Sequence, residues 1–343
     1  GAVPVFCDID PATFLAGADE MRATIDREFR VDGERRIHRA SGAKLAALMP
    51  VHLYGRACSM AGILELARET GTKVIEDAAQ AIDSRDGARP VGSFGDTGSF
   101  SFYPTKNLGG PGDGGLVTCE DPALAARLVR LRSHGSEPGG YEHAEAGINA
   151  RMSEFVAAVL NAKLAYLDAW TARRRALAAL YSAALAEAAA RGLLELPAPC
   201  DAGAHVWHQY AIRIPSDSRS DRICGNSRRD RIRADSRRDG IAGEAGRDRV
   251  AEGSRRDRVT EGSRRDRLMA LLEEQGIATR VFYPLPLHLQ PCFAGLGGKP
   301  GDLAEAEAAS REVLCLPIYP SLDDDAALGV AAAVVTAAEV ASS

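Results

Sequence analysis

The stretch SFSFYPTKNLGGPGDGG, residues 99–115, holds one lysine, Lys106, between small and aromatic residues and a run of glycines. A lysine amine is protonated near neutral pH and is then no nucleophile. Desolvation or a nearby cation lowers its pKa, and the free amine can condense with an aldehyde to a Schiff base. Pyridoxal 5'-phosphate is the cofactor that uses this reaction most. It also needs a carboxylate at its ring nitrogen and anchors for its phosphate. Both occur nearby: VIEDAAQ, residues 74–80, offers Glu76 and Asp77, and Ser99 and Ser101 alternate onto one side of the stretch before Lys106. Each residue alone has an ordinary reading, as a solvated lysine, a turn-forming acid or a turn serine. Their order and spacing single them out.

The elements that must position these groups alternate between short strands and helices. Residues 3–9 read as a strand, and 45–57 as a short apolar run followed by a loop. SMAGILELARETG (59–71) has helical spacing, with Met60, Ile63, Leu64 and Ala67 on one face and Gly71 as its C-cap. Residues 72–81, 98–103 and 114–120 read as strands. Residues 121–135 read as a helix with Asp121 as N-cap, Pro122 at its first position and Gly135 past its end. Residues 151–192 form one long helical pattern, opened at Ser153, closed at Gly192 and broken at most once, with Arg173, Arg174 and Arg175 as its solvated face. A strand at 208–215, a helix and then a strand over 268–283, and a helix after Pro317 complete the chain. The fold class is α/β.

The 343 residues carry a net charge of −5 and are 45% hydrophobic and 26% charged, so neither nucleic acid nor an anionic membrane is the expected partner. Seven scattered cysteines without a CxxC pair argue against a disulfide framework or a zinc site. Reduced, mostly buried thiols and a cytoplasmic location are expected, with no metal. No apolar run approaches a membrane span and no signal peptide is evident. From Ser218 the chain repeats every nine residues as variants of SRRDRI. Nine residues are 2.5 helical turns, and nine is odd, so neither a helix nor a strand gathers the apolar residue of each unit into one stripe. The segment 218–262 is therefore expected to be a solvated insertion.

VIEDAAQA followed by GSFGDTGSFSFYPTKNLGGPGDGGLV closely resembles the DegT/DnrJ/EryC1/StrS family of pyridoxal-phosphate enzymes, the sugar aminotransferases. The likeness continues in VHLYGRA (51–57), LRSHGS (131–136), NARMSEFVAAVLNAKLAYLD (149–168), RVFYPLPLHLQPCF (280–293) and LPIYPSL (316–322). It implies the fold-type-I, aspartate aminotransferase-like architecture, with a large domain around a mainly parallel seven-stranded sheet and a smaller C-terminal α/β domain. It implies Lys106 as the Schiff-base lysine and proton carrier, Asp77 at the ring nitrogen, Gln80 beside the ring and Ser101 on the phosphate. Asn149 would reach the cofactor of a partner subunit, so a homodimer with shared sites is implied. His52, Tyr54, Tyr283 and His288 would line the substrate cleft, with packing at a domain seam as the ordinary alternative for each. The implied reaction transfers an amino group from glutamate or glutamine to a nucleotide-linked keto-deoxysugar.

The expected domains are 1–160 (cofactor-binding), 161–217 with 263–343 (long helix and small domain), and the 218–262 insertion. The family pattern begins upstream of GAVPVFCDID with a Gly-Thr-type turn at a helix N-terminus whose free N–H groups hold the phosphate, so this anchor is expected outside the given residues. A family dehydratase would carry His in place of Lys106, so transamination is expected. A catalytically inactive or truncated homologue acting as a binding or regulatory protein is the alternative.

Overall fold

The computed structural model describes residues 1–137, 140–216 and 262–342. The expectation for the repeats lies outside these residues, apart from Gly262. Ten strands and eight helices of four or more residues or named pairs are described. They are β1 Phe29–Asp32, β2 Arg35–His38, β3 Ala47–Leu48, β4 Lys73–Asp77, β5 Arg85–Asp86, β6 Arg89–Pro90, β7 Thr97–Ser101, β8 Gly115–Thr118, β9 Tyr210–Arg213 and β10 Val313–Leu316. The helices are α1 Ala18–Glu28, α2 Met60–Thr70, α3 Pro122–Leu131, α4 Glu154–Leu164, α5 Leu167–Ala190, α6 Arg264–Glu274, α7 Ala304–Glu312 and α8 Asp324–Ser342.

The sheet that carries the chemistry has the order β3-β4-β7-β8. β3, β4 and β7 are parallel, and β8 closes one edge antiparallel to β7. A parallel pair needs a crossover, which α2 supplies between β3 and β4. Met60, Ile63, Leu66 and Ala67 of α2 pack with Met21 and Ile25 of α1 against Leu48 and Val74 of the sheet. Burying each large side chain is worth about 1.5–3 kcal/mol. Gly71 ends α2 in the left-handed region, as expected. Asp121 caps α3 by accepting from the N–H groups of Ala123 and Leu124. The described residues hold four strands in this sheet where the resemblance implies seven.

The smaller unit packs α5, α6 and α8 on the antiparallel pair β9–β10. Tyr181 and Leu185 of α5, Ile212 of β9, Leu272 of α6, Leu314 of β10 and Val334 of α8 form its core. The long helical pattern breaks once, between α4 and α5. α8 has the length and composition of a membrane span, contrary to expectation. Its Ala/Val face, including Val330 and Val334, is buried against α5 and α6.

Several expectations fail for tertiary reasons. Residues 3–9 pair with no strand; instead Asp8 accepts from the N–H groups of Glu305 and Ala306 and caps α7. Residues 277–283 form only an isolated bridge, Arg280 to Cys315. Arg174 is not solvated: it is 7% exposed, and its guanidinium donates to the carbonyls of Trp207 and Ile318, because α5 is covered at that turn. Of the six described cysteines, only Cys58 and Cys315 are buried, and all six are free.

Candidate active site

β7 feeds directly into the loop that bears Lys106. Phe102 and Leu108 bury themselves with Val156, Leu160 and Leu167, which pins the loop on both sides of the lysine. The Lys106 N–H donates to the Tyr103 carbonyl at 2.9 Å, and Gly110 N–H donates to the Phe102 carbonyl at 2.8 Å. Gly109 packs so closely on the Pro104 carbonyl that a Cβ would overlap it. The Lys163 ammonium donates to the Gly109 carbonyl. Burial pushes the Lys106 pKa down, and the Asp77 carboxylate pulls it partly back. The site therefore favours a free amine more than water does.

Asp77 ends β4 and is held by its own backbone. Its N–H donates to the Pro50 carbonyl at 2.9 Å, and its carbonyl accepts from His52 N–H at 3.0 Å. Its Oδ1 accepts from Ala79 N–H at 3.0 Å, while Oδ2 has no hydrogen-bond partner among the described residues. Gln80 follows one turn later. Its Oε1 accepts from Tyr54 N–H at 2.6 Å and its Nε2 donates to the Tyr283 hydroxyl at 3.2 Å. Burial raises the Tyr283 pKa, the Gln80 hydrogen bond lowers it, and Asp77 raises it again. Asp77 thus acts on both Lys106 and Tyr283.

Ser101 Oγ accepts from Tyr103 N–H at 3.2 Å, so its own proton is left to donate. Ser99 spends its proton on the Glu76 carbonyl. Asn149 is exposed and forms an isolated bridge with Ser133.

Three of the four expected substrate residues are buried in this structure. His52 is 0% exposed, with both ring nitrogens engaged, by Glu76 and by Cys58 N–H. Tyr54 is buried at a left-handed backbone position, and its hydroxyl donates to the Phe282 carbonyl. His288 is buried with Nε2 at 3.0 Å from Glu307 Oε1. Tyr283 alone of the four remains half exposed beside Gln80.

The structure adds two residues beside Lys106. Asn107 Nδ2 donates to the Val206 carbonyl at 3.0 Å, and its Oδ1 lies 3.2 Å from His208 Nδ1. Burial, with Lys106 and Arg174 adding to it, drops the His208 pKa to about 3. Its only signal in sequence is a histidine in HVWHQY immediately before β9.

A free carboxylate oxygen, an amine held below its ordinary pKa and a hydroxyl with a spare proton are the partners a pyridine nitrogen, an aldehyde and a phosphate require. The residues present fit pyridoxal 5'-phosphate. Among the described residues no three His, Cys, Asp or Glu side chains gather as metal ligands.

Residues 1–236 and 255–335 match the DegT/DnrJ/EryC1/StrS aminotransferase family. The chain is 39% identical to a pleiotropic regulatory protein of Geobacillus stearothermophilus over 95% of its own length and 70% of that protein's. It is 38% identical to the dTDP-3-amino-3,4,6-trideoxy-alpha-D-glucose transaminase of Streptomyces venezuelae, covering 87% of this chain and 65% of that one. Among solved structures, S. venezuelae DesV in complex with a ketimine intermediate superposes with a TM-score of 0.75 at 34% identity, over 99% of this chain and 73% of that one. The chain thus spans roughly two thirds of the curated relatives it matches, 70% and 65% of these two.

Proposed function

The chain belongs to the DegT/DnrJ/EryC1/StrS family of pyridoxal-phosphate-dependent aminotransferases, and we propose that it transfers an amino group from glutamate or glutamine to a keto group on a nucleotide-linked deoxysugar. The observation that carries this reading is the pairing of a half-buried Lys106, its pKa lowered, with an Asp77 whose Oδ2 is free.

When bound, the cofactor supplies an aldehyde that condenses with amines and a ring that takes up an electron pair. Lys106 provides the amine that bonds to it. With cofactor and substrate bound, Lys106 would move a proton at the substrate carbon. Asp77 Oδ2 would keep the ring nitrogen protonated. Ser101 would donate to the phosphate. Gln80 and Tyr283, already joined by a hydrogen bond, would lie close to the ring. His208, beside Lys106, is uncharged near neutral pH.

Asn149, exposed, serves the site of a second copy in a homodimer. The domain division at residue 160, a cytoplasmic location and the lack of nucleic-acid or membrane partners complete the reading. The nucleotide-sugar substrate is carried over from relatives such as the S. venezuelae transaminase.

The test is amino transfer itself. Cofactor-loaded protein is incubated with 15N-glutamate or amide-15N-glutamine and dTDP- or UDP-linked keto-sugars, and product mass is read. The expected result is a labelled amino sugar that is missing with Lys106→Ala. Cofactor held covalently on Lys106 with no label reaching any keto-sugar would overturn the proposed reaction.

A further inference from the structure

Beneath the proposed site, four donors converge on Glu76, the residue immediately before Asp77. Glu76 is 0% exposed. Its Oε2 accepts from His52 Nε2 at 3.1 Å and Gly92 N–H at 2.7 Å, and its Oε1 accepts from Phe94 N–H at 2.6 Å and Gly95 N–H at 2.7 Å. Burial alone would raise the Glu76 pKa, but the donors from His52, Gly95 and Gly92 outweigh it and lower it. A carboxylate so supplied stays ionised in the interior.

The histidine is equally determined. His52 Nδ1 accepts from Cys58 N–H at 3.0 Å, so the ring proton sits on Nε2 and is donated to Glu76. The same residue reaches Asp77 through the main chain: His52 N–H donates to the Asp77 carbonyl, and Asp77 N–H donates to the Pro50 carbonyl. Successive side chains of a strand point to opposite faces. Glu76 accordingly points into the core and Asp77 out of it, at the end of β4.

We propose that the buried His52–Glu76 pair is a positioning element for the reaction: it locks the end of β4 against the 50–52 and 92–95 segments and so holds the free Oδ2 of Asp77 in one orientation. Neither His52 nor Glu76 touches substrate or cofactor. The role rests on the reading of Asp77 as the partner of the cofactor's ring nitrogen. A displacement of about 1 Å at such a group can cost roughly a hundredfold in rate, so a rigid support is worth two buried polar residues.

Two measurements decide it. The first is amide hydrogen exchange on the cofactor-free chain, comparing wild type with His52→Leu, Glu76→Gln and His52→Gln. His52→Leu and Glu76→Gln are expected to exchange about tenfold faster at residues 76–79 and 92–95 while α5 and β9 keep their protection. His52→Gln, which retains one donor and one acceptor, is expected to recover most of it. Unchanged local exchange in the first two variants would overturn the proposal.

The second measurement adds pyridoxal 5'-phosphate and follows the pH midpoint of the bound cofactor's visible band, with Asp77→Asn as the reference. His52→Leu is expected to move the midpoint in the same direction as Asp77→Asn and to weaken cofactor binding about tenfold, with His52→Gln close to wild type. Looser exchange with a wild-type midpoint would mean a purely structural pair and overturn the positioning role. A wild-type chain with no visible band at all would count against the proposed function, and the exchange result would still decide whether the pair locks β4.

Discussion

Two opposite influences meet on the Lys106 amine: burial lowers its pKa and the Asp77 carboxylate raises it. An amine reacts when unprotonated, so in the cofactor-free chain Lys106 is expected to react with aldehydes at lower pH than exposed lysines do. Removing the one influence that raises the pKa must lower it further, so Asp77→Asn is expected to move the pH midpoint of Lys106 labelling downward. Peptide mass mapping of the label at graded pH measures it, and an upward shift would contradict the electrostatic account. At this scale Asp77, Gln80, Ser101 and Lys106 stand out in the sequence by motif. Burial was not readable: nothing in VHLYG or PLHLQ says that Glu76, Phe282 and Glu307 hold His52, Tyr54 and His288. The solvated reading of Arg174 failed for this reason, since nothing in ARRRA says that the Trp207 and Ile318 carbonyls wait for its guanidinium.

Among the elements, the loop after β7 is the most sharply constrained. Gly109→Ala places a methyl group on the Pro104 carbonyl, and overpacking of this kind costs about 1–3 kcal/mol. Denaturant titration is expected to show that loss, together with reduced uptake of pyridoxal 5'-phosphate; wild-type stability and uptake would show that the loop is not held as described. The segment before β9 makes a different prediction. Burial first, and nearby cations second, hold the pKa of both His205 and His208 down at about 3. The unfolded chain takes up these protons near pH 6.5 and the folded chain does not. Stability is therefore fully present above about pH 6.5 and falls as pH drops toward 3. His208→Gln is expected to flatten that decline in thermal melts taken across the window, and an unchanged slope would contradict it. Helices with caps and an apolar stripe, such as α2 and α3, were legible because their signals are local. Strands were legible only when a partner existed: residues 3–9 and 277–283 have strand-like composition, but a ladder needs a neighbour, and the first instead lends Asp8 to α7.

Over the whole molecule, two units meet where Gln80 and Tyr54 of the first bond to Tyr283 and Phe282 of the second. The smaller unit has its own core, and Leu272 lies fully buried within it, away from Lys106. Leu272→Ala is expected to cost about 2–5 kcal/mol of stability, measured by denaturant unfolding, while leaving Lys106 labelling at its wild-type pH midpoint; a shifted midpoint would mean that the small-unit core sets the site's electrostatics. The α/β class was visible in the alternation of strands and helices. The antiparallel edge β8 and the covering of α8 were not, because both depend on which distant segments come together. Covalent attachment of pyridoxal 5'-phosphate at Lys106, as proposed, is checked by loading the chain with the cofactor, recording the visible spectrum, reducing with borohydride and locating the added mass. The expected result is a visible band and a label on Lys106 that disappears in Lys106→Ala; no band, or a label spread over exposed lysines, would overturn the proposed role of Lys106.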